Sequence, residues 1–173
     1  SFKRSIPRTV WKQMIRAEAT RSQGQQTVSV LWDLLKAYEH VARLGLAHEC
    51  EKVGYPIVVA RMSLPSYTWT RHLIHGEIAT HGILAHRGIV AGCFAATSLL
   101  KVKMMCVIDR YLAIPRIFQP DLQIYIDDFH LSLGGEPSKL VPAATKAIKE
   151  LEHTIQVELD LPLSLEKGVI VGT

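Results

Sequence analysis

The sequence has few cysteines, and their arrangement suits no disulfide framework. Cys50, Cys93 and Cys106 are an odd number and show no CxxC spacing. Small secreted domains carry even, closely spaced sets of cysteines, whereas a free cysteine is among the residues most often buried. We therefore expect three reduced thiols in an intracellular protein.

A long hydrophobic run is also missing. The longest near-apolar stretch, Gly88 to Leu100, is closed by Lys101, and it is shorter than the ~20 residues that a helix needs to cross a bilayer. We therefore expect no membrane partner. The chain opens with Ser1-Phe2-Lys3-Arg4 instead of Met, and no apolar signal region follows. We expect a protein that is not secreted and a fragment of a longer open reading frame or polyprotein.

Several common catalytic motifs are absent. The sequence contains no P-loop, no GxSxG and no HExxH, which argues against the nucleotide-binding loops, serine hydrolases and zinc proteases that these motifs mark. Four histidines crowd one region, but their spacings match no zinc pattern and no paired cysteines lie nearby. These are His72, His75, His81 and His86.

What the chain does have is enough apolar material for one domain. Its 173 residues are 48% hydrophobic, so we expect a single domain spanning residues 1–173 with a real core. The 20 Lys and Arg against 16 Asp and Glu give a net charge of +4. This mild excess suits a phosphate-bearing partner without requiring one.

The hydrophobic periodicity predicts an α+β fold. The predicted helices are Thr9–Arg21, Leu34–Val53 with a break near Gly45, Pro56–Ser66, Phe94–Ile108 and Glu136–Leu159. The predicted strands are Val28–Trp32, short strands within Trp69–Leu84, a hairpin of Leu122–Ile126 and Phe129–Leu133, and a last pair of Leu163–Leu165 and Val169–Val171. This order favours an antiparallel sheet with helices packed on one face.

Three aspartates stand where predicted strands end. Asp33 follows an apolar strand, and Asp127 and Asp128 interrupt the predicted hairpin at its turn. Such a residue also forms turns and caps helices, so that alternative stays open for Asp33. If the two strands are neighbours, the three carboxylates converge. Carboxylate oxygens are the ligands that Mg²⁺ prefers, and polymerases use a pair of such ions.

Four segments together resemble one enzyme family. Tyr125–Asp128 has the Tyr-x-Asp-Asp form that marks the catalytic hairpin of reverse transcriptases, and Val30–Tyr38 looks like the first palm motif, an Asp followed five residues later by an aromatic. Arg87–Cys93 is similar to the loop that contacts template and nucleotide, and Leu163–Val171 resembles the later lysine motif. The resemblance covers about Val28 to Thr173.

This resemblance implies a polymerase palm with a ferredoxin-like core, and with fingers and thumb largely absent. The implied activity is RNA-directed DNA polymerisation, in which a primer 3′-hydroxyl attacks a deoxynucleoside triphosphate (dNTP). The partners would be an RNA template, a DNA primer and a dNTP, in the nucleus or the cytoplasm. Two Mg²⁺ ions would serve as cofactors, and Mn²⁺ could replace them. Trp11 and the Ala-Tyr-Glu-His that ends at His40 look closest to non-LTR retrotransposon polymerases.

The resemblance also assigns roles at the reacting end. Asp33 and Asp127 would be the main metal ligands, and Asp128 a secondary ligand or charge partner. Lys167 would lie near the triphosphate and donate a proton to the leaving pyrophosphate, which is general acid catalysis. A solvated turn lysine is the alternative for Lys167.

Further roles concern the nucleotide. Tyr38 would lie under the sugar and leave no room for a 2′-hydroxyl; an ordinary core tyrosine is the alternative. Gly92 would let the backbone approach the nucleotide closely. A glycine that only serves a turn is the alternative. Ala91 stands where the family places a glutamine, and Ala96-Thr97 replaces its Ser-Pro.

Two other functions stay open. A catalytically decayed palm remnant with at most nucleic-acid binding is favoured by Ala91, because alanine cannot make a glutamine's hydrogen bonds. An RNA-dependent RNA polymerase would share palm and metals, but Tyr38 and the Tyr-x-Asp-Asp form argue against it.

Overall fold

The chain forms two compact units. The structure is a computed structural model that describes the backbone of residues 6–172 and the side chains of residues 11–164 and 166–172. The first unit comprises the residues up to Asp33, Leu112–Glu152 and the residues from Ser164 onward; the second comprises Leu34–Tyr111 and His153–Leu163. This division does not test the single domain expected from the sequence, which stays a prediction.

The described elements confirm the α+β class. The helices are α1 (Ile6–Ser22), α2 (Ala37–His40), α3 (Leu46–Lys52), α4 (Ile57–Ser66), α5 (Ala96–Ala113) and α6 (Pro137–His153). The strands are β1 (Gln26–Asp33), β2 (Ile74–His75), β3 (Ile78–Ala79), β4 (Asp121–Tyr125), β5 (Asp128–Gly135) and β6 (Val169–Gly172). A π-helical turn, Thr154–Glu158, continues α6, and a 3₁₀ turn, Leu165–Lys167, precedes β6. Among the described residues, no helix has the length and hydropathy that crossing a membrane requires.

The first unit contains a four-stranded antiparallel sheet in the order β4-β5-β1-β6. β1 lies in the centre and pairs with β5 along its whole length, so that Val30 is opposite Leu131 and Asp33 is opposite Asp128. Successive side chains of a strand point to opposite faces, and directly paired residues share a face. The register therefore fixes which side chains meet on each side of the sheet.

One face of the sheet is apolar and buried. Its central residues are Val30, Trp32, Phe129, Leu131 and Leu133. The indole N–H of Trp32 donates a hydrogen bond to Glu152 of α6 at 3.3 Å, so the C-terminal part of α6 lies on this side of the sheet. Leu140, Ala144, Ala147 and Leu151 recur along α6 at helical spacing and are buried, which is the amphipathic pattern expected of a helix on a sheet.

The opposite face is polar, and α1 lies against it. The side-chain amide nitrogen of Gln13 is 2.7 Å from Nδ1 of His130 and 3.2 Å from the side-chain oxygen of Gln123. Arg16 of α1 forms an ion pair with Asp121 of β4. The expectation of helices on one face only is therefore corrected. Polar side chains on this face provide hydrogen-bond and ion-pair partners for α1.

The end of the chain also differs from expectation. Leu163 makes an isolated bridge with Leu34, and β6 pairs with β1 instead of with a strand at Leu163–Leu165. The predicted last strand pair is therefore wrong. The 3₁₀ turn Leu165–Lys167 occupies the residues that a hairpin would need.

The second unit is a group of helices with its own core. The buried side chains of this core include Leu46, Cys50, Ala60, Tyr67, Leu99 and Leu100. Burial raises the pKa of the Cys50 thiol. The ammonium of Lys103 in α5 is 3.0 Å from a carboxylate oxygen of Glu49 in α3. The helix predicted over Leu34–Val53 is reduced to α2 and α3, and the break between them covers residues 41–45 and ends at Gly45.

Candidate metal centre

A two-residue turn between β4 and β5 carries Asp127, one of the three aspartates that the sequence indicated. Tyr125 is opposite Asp128, so the turn consists of Ile126 and Asp127, and Asp128 is already the first residue of β5. Ile126 has a φ of 60°, a left-handed conformation that is rare for a β-branched residue. The prediction of a hairpin here is confirmed, although only one of the two aspartates, Asp127, lies in its turn.

The sheet register brings Asp33 next to this turn. Asp33 ends β1 directly opposite Asp128, and the carboxylates of Asp33, Asp127 and Asp128 each offer an oxygen within 4.8 Å of the others. Asp33 and Asp127 are partly buried and Asp128 is exposed. The expected convergence of the three carboxylates is therefore present in the structure, at the end of the polar face of the sheet.

Negative charge accumulates at this point. Partial loss of hydration by the neighbouring residues raises the pKa of the Asp128 carboxyl, and the charges of Asp127 and Asp33 raise it further, while Lys167 opposes them. A carboxylate beside like charges favours its protonated form unless a cation lies near. Three carboxylates against one ammonium leave an excess of negative charge, and their oxygens are the hard ligands that Mg²⁺ prefers. The donor set therefore fits a divalent metal ion.

Lys167 supplies the cation that the structure places at the site. The backbone N–H of Ser164 donates to the carbonyl oxygen of Asp33 at 2.8 Å, which anchors the 3₁₀ turn beside the end of β1. The Lys167 ammonium then donates to a carboxylate oxygen of Asp33. The Asp33 carboxylate raises the pKa of Lys167. The sequence indicated Lys167 as a site residue, but it gave no sign of this ion pair.

A groove of about 960 Å³ opens at the three carboxylates. Besides the acidic residues and Lys167, its lining includes Gln13, Gln123, Tyr125 and His130. Sequence reasoning missed Gln13 and Gln123. The available signal was the alternation of β4, which places Gln123 on the same face as Tyr125.

The predicted nucleotide contacts all belong to the second unit. The hydroxyl of Tyr38 is 3.1 Å from the hydroxyl of Thr97, and Tyr38 is partly buried. Ala91 and Gly92 are exposed. Gly92 has a φ of +84° and no atom within 4 Å of where a Cβ would stand, so the structure explains this glycine by its backbone conformation.

The close backbone approach occurs at Gly88 instead. A Cβ at Gly88 would lie 2.8 Å from the carbonyl oxygen of Glu39. The backbone N–H of Gly88 donates to the carbonyl of Val41, and that of Ile89 donates to the carbonyl of Tyr38, both at 2.8 Å. The loop Gly88–Gly92 thus binds the segment that carries Tyr38, a contact that the sequence did not indicate.

Comparison with known proteins shows the fold. No protein-family model matches the chain, and no curated protein matches it. Among solved structures, the chain is similar to the telomerase of Candida tropicalis in complex with a TWJ fragment of telomeric RNA, with a TM-score of 0.71 and 10% identity over 95% of this chain and 29% of that chain. It is also similar to the Candida albicans telomerase in complex with a TWJ fragment, with a TM-score of 0.66 and 12% identity over 96% of this chain and 31% of that one.

A third similar structure is the apo telomerase of Candida tropicalis truncated from its C-terminal domain, with a TM-score of 0.56 and 11% identity over 96% of this chain. The chain spans 35% of that protein and less of the other two. Telomerase is a reverse transcriptase, so the fold of this chain is reverse-transcriptase-like. At this identity the likeness concerns the fold alone.

Proposed function

We propose that the chain is the palm of an RNA-directed DNA polymerase that adds dNTPs to a primer 3′-hydroxyl on an RNA template. The observation that carries this proposal is the convergence of Asp33, Asp127 and Asp128 at one end of the sheet. The reverse-transcriptase-like fold supports it. Within this class, the segments that resemble non-LTR retrotransposon polymerases favour that type.

The three aspartates and Lys167 would act on the phosphates. Two Mg²⁺ ions, or Mn²⁺ in their place, held by the three carboxylates would neutralise charge on the attacking and leaving oxygens. Asp33 and Asp127 would contribute the main ligands, and Asp128 would be a secondary ligand or charge partner. Lys167 would donate a proton from its ammonium to the leaving pyrophosphate, because general acids stabilise a leaving group as charge develops on it.

Three further residues, Tyr38, Ala91 and Gly92, would contact the nucleotide. The ring of Tyr38 would lie under the sugar and exclude a 2′-hydroxyl by contact, which favours dNTPs over ribonucleotides. Ala91 and Gly92 would lie along the nucleotide as exposed backbone. Template and primer are phosphate-bearing partners, which agrees with the net positive charge of the chain.

A second candidate is a decayed palm that retains the fold and binds nucleic acid weakly. The observation that favours it is Ala91, which is exposed and has no hydrogen-bonding group in its side chain. Where the resembling family has a glutamine, this chain therefore offers only backbone contacts.

Primer extension separates the two candidates. The chain, within its native flanking sequence, is incubated with an RNA template, a labelled DNA primer, dNTPs and Mg²⁺. We expect extension, and we expect Asp127→Asn to slow it by on the order of 100-fold or more, as loss of an electrostatic group in an active site does. Asp109→Asn, an exposed position of α5, is the matched control and should extend normally. A folded protein that extends no primer would favour the decayed palm.

A further inference from the structure

The hydroxyl groups of Tyr38 and Thr97 form a hydrogen bond that the resemblance to reverse transcriptases did not predict. They are 3.1 Å apart and join residues 59 positions apart in the chain, at α2 and in the first turn of α5. Both side chains are partly buried, so water competes less for the bond than at an exposed position. Thr97 occupies the position at which the family that the chain resembles has a proline, and proline has no hydroxyl group.

The backbone of Tyr38 is held at the same time. Its carbonyl accepts a hydrogen bond from the N–H of Ile89 at 2.8 Å. The next residue, Glu39, lies against Gly88, where a Cβ would come within 2.8 Å of the Glu39 carbonyl oxygen. The main chain of Tyr38 is therefore fixed by the loop, and the far end of its ring is fixed by Thr97.

A ring fixed at both ends has one orientation. A tyrosine side chain has two rotatable bonds, and with the hydroxyl free its ring can change rotamer within the space around it. Exclusion of a 2′-hydroxyl by contact requires the ring to stay in place, because a ring that moves aside admits the larger sugar. Precise positioning of a contact group is what such discrimination depends on.

We propose that Thr97 is a positioning residue for nucleotide selection: its hydroxyl holds the Tyr38 ring in the orientation that rejects ribonucleotides. This inference rests on the proposed function, in which Tyr38 lies under the sugar. A merely structural bond between α2 and α5 would contribute to the stability of the second unit and leave the choice of sugar unchanged.

The test measures kcat/KM for a dNTP and for the matching ribonucleotide in primer extension, and takes their ratio. Thr97→Val removes the hydroxyl at nearly constant volume, and Tyr38→Phe removes the other partner of the same bond. We expect each to lower the ratio about fivefold, the weight of one hydrogen bond, and the double variant to lower it no further. Thr97→Ser keeps a hydroxyl and should keep the ratio.

Thr145→Val is the matched control, at an exposed position of α6 where the hydroxyl donates to the carbonyl of Val141 in the same helix. It should leave the ratio unchanged. Thermal unfolding of every variant accompanies the kinetics. A lowered unfolding temperature with an unchanged ratio in both Thr97→Val and Tyr38→Phe would overturn the inference while leaving the proposed function intact. Absence of extension by the parent protein would overturn the proposed function, and the inference with it.

Discussion

Asp33 and Asp128 are directly opposed in the ladder between β1 and β5, so two carboxylates meet across neighbouring strands. Like charges in such a pair destabilise a sheet. The third carboxylate, Asp127, lies within 4.8 Å of both at a turn where Ile126 has a left-handed backbone. The sheet thus ends in an arrangement that is unfavourable without a cation, which is typical of a functional site.

The first prediction concerns this opposed pair. Asp128→Asn removes one charge and keeps the shape of the side chain, so we expect it to stabilise the metal-free protein by about 0.5 kcal/mol. Chemical denaturation in the presence of a chelator measures the change, and Asp109→Asn on α5 is the matched control. A less stable Asp128→Asn protein would show that repulsion between the two strands is not the dominant effect.

The second prediction concerns the Lys167 ammonium. Because it is bonded to Asp33, it competes with any cation that binds the same carboxylate. We expect Lys167→Met to tighten Mn²⁺ binding about two- to fivefold, which corresponds to the free energy of a typical exposed ion pair. We also expect it to slow primer extension, because the proton donor is lost. Calorimetric titration with Mn²⁺ measures the affinity.

The matched control for Lys167 is Lys139→Met. Lys139 is a similarly exposed lysine in α6 that pairs with Glu136, and its loss should leave Mn²⁺ affinity unchanged. Weaker Mn²⁺ binding in Lys167→Met than in Lys139→Met would contradict a competing role for this ammonium.

The third prediction concerns the loop that holds Tyr38. Gly88 combines a φ of +89° with a neighbouring carbonyl 2.8 Å from where a Cβ would stand. Gly54 has a similar φ of +68° but no atom within 4 Å. We expect Gly54→Ala to cost about 1–2 kcal/mol for the left-handed backbone, and Gly88→Ala about 3 kcal/mol because the contact adds to it. Urea unfolding measures both losses of unfolding free energy. Equal losses in the two variants would mean that the loop Gly88–Gly92 shifts away from Glu39 at no cost.

The fourth prediction concerns a thiol outside the candidate site. The hydroxyl of Tyr67 donates to the sulfur of Cys93 at 3.2 Å, and this bond lowers the pKa of the Cys93 thiol. The thiolate is the reactive form, so Tyr67→Phe should shift the pH profile of Cys93 alkylation to higher pH. Mass spectrometry of iodoacetamide-treated protein over a pH series measures this shift. Cys50, whose thiol pKa is raised by burial, should react more slowly than Cys93 throughout, and an unshifted Cys93 profile would contradict the account.

The sequence predicted the elements whose pattern is local. The alternation on both sides of Asp127 is a short-range signal, so the hairpin could be found without knowledge of the rest of the chain. The apolar strand before Asp33 could be found in the same way. The pairing of β1 with β5 then followed as a condition for the three carboxylates to meet, and the register satisfies it.

The remaining features depend on contacts between distant segments. The position of α1 against the polar face rests on Gln13 and Arg16 reaching β4 and β5, and these polar pairs leave no periodic apolar pattern. The pairing of β6 with β1 and the bond between Lys167 and Asp33 join the two ends of the first unit. Neither spacing nor composition carries such information, which explains the wrong last strand pair.

Direct titration with Mn²⁺ tests most directly the central claim, that Asp33, Asp127 and Asp128 form one divalent-metal centre. The protein and its Asp127→Asn variant are titrated under identical conditions, with Asp109→Asn as the control for loss of one negative charge. Loss of even an outer partner of a metal site weakens affinity by about 10- to 100-fold, so we expect at least about a tenfold loss in Asp127→Asn and none in Asp109→Asn. Equal Mn²⁺ affinity in all three folded proteins would contradict the claim.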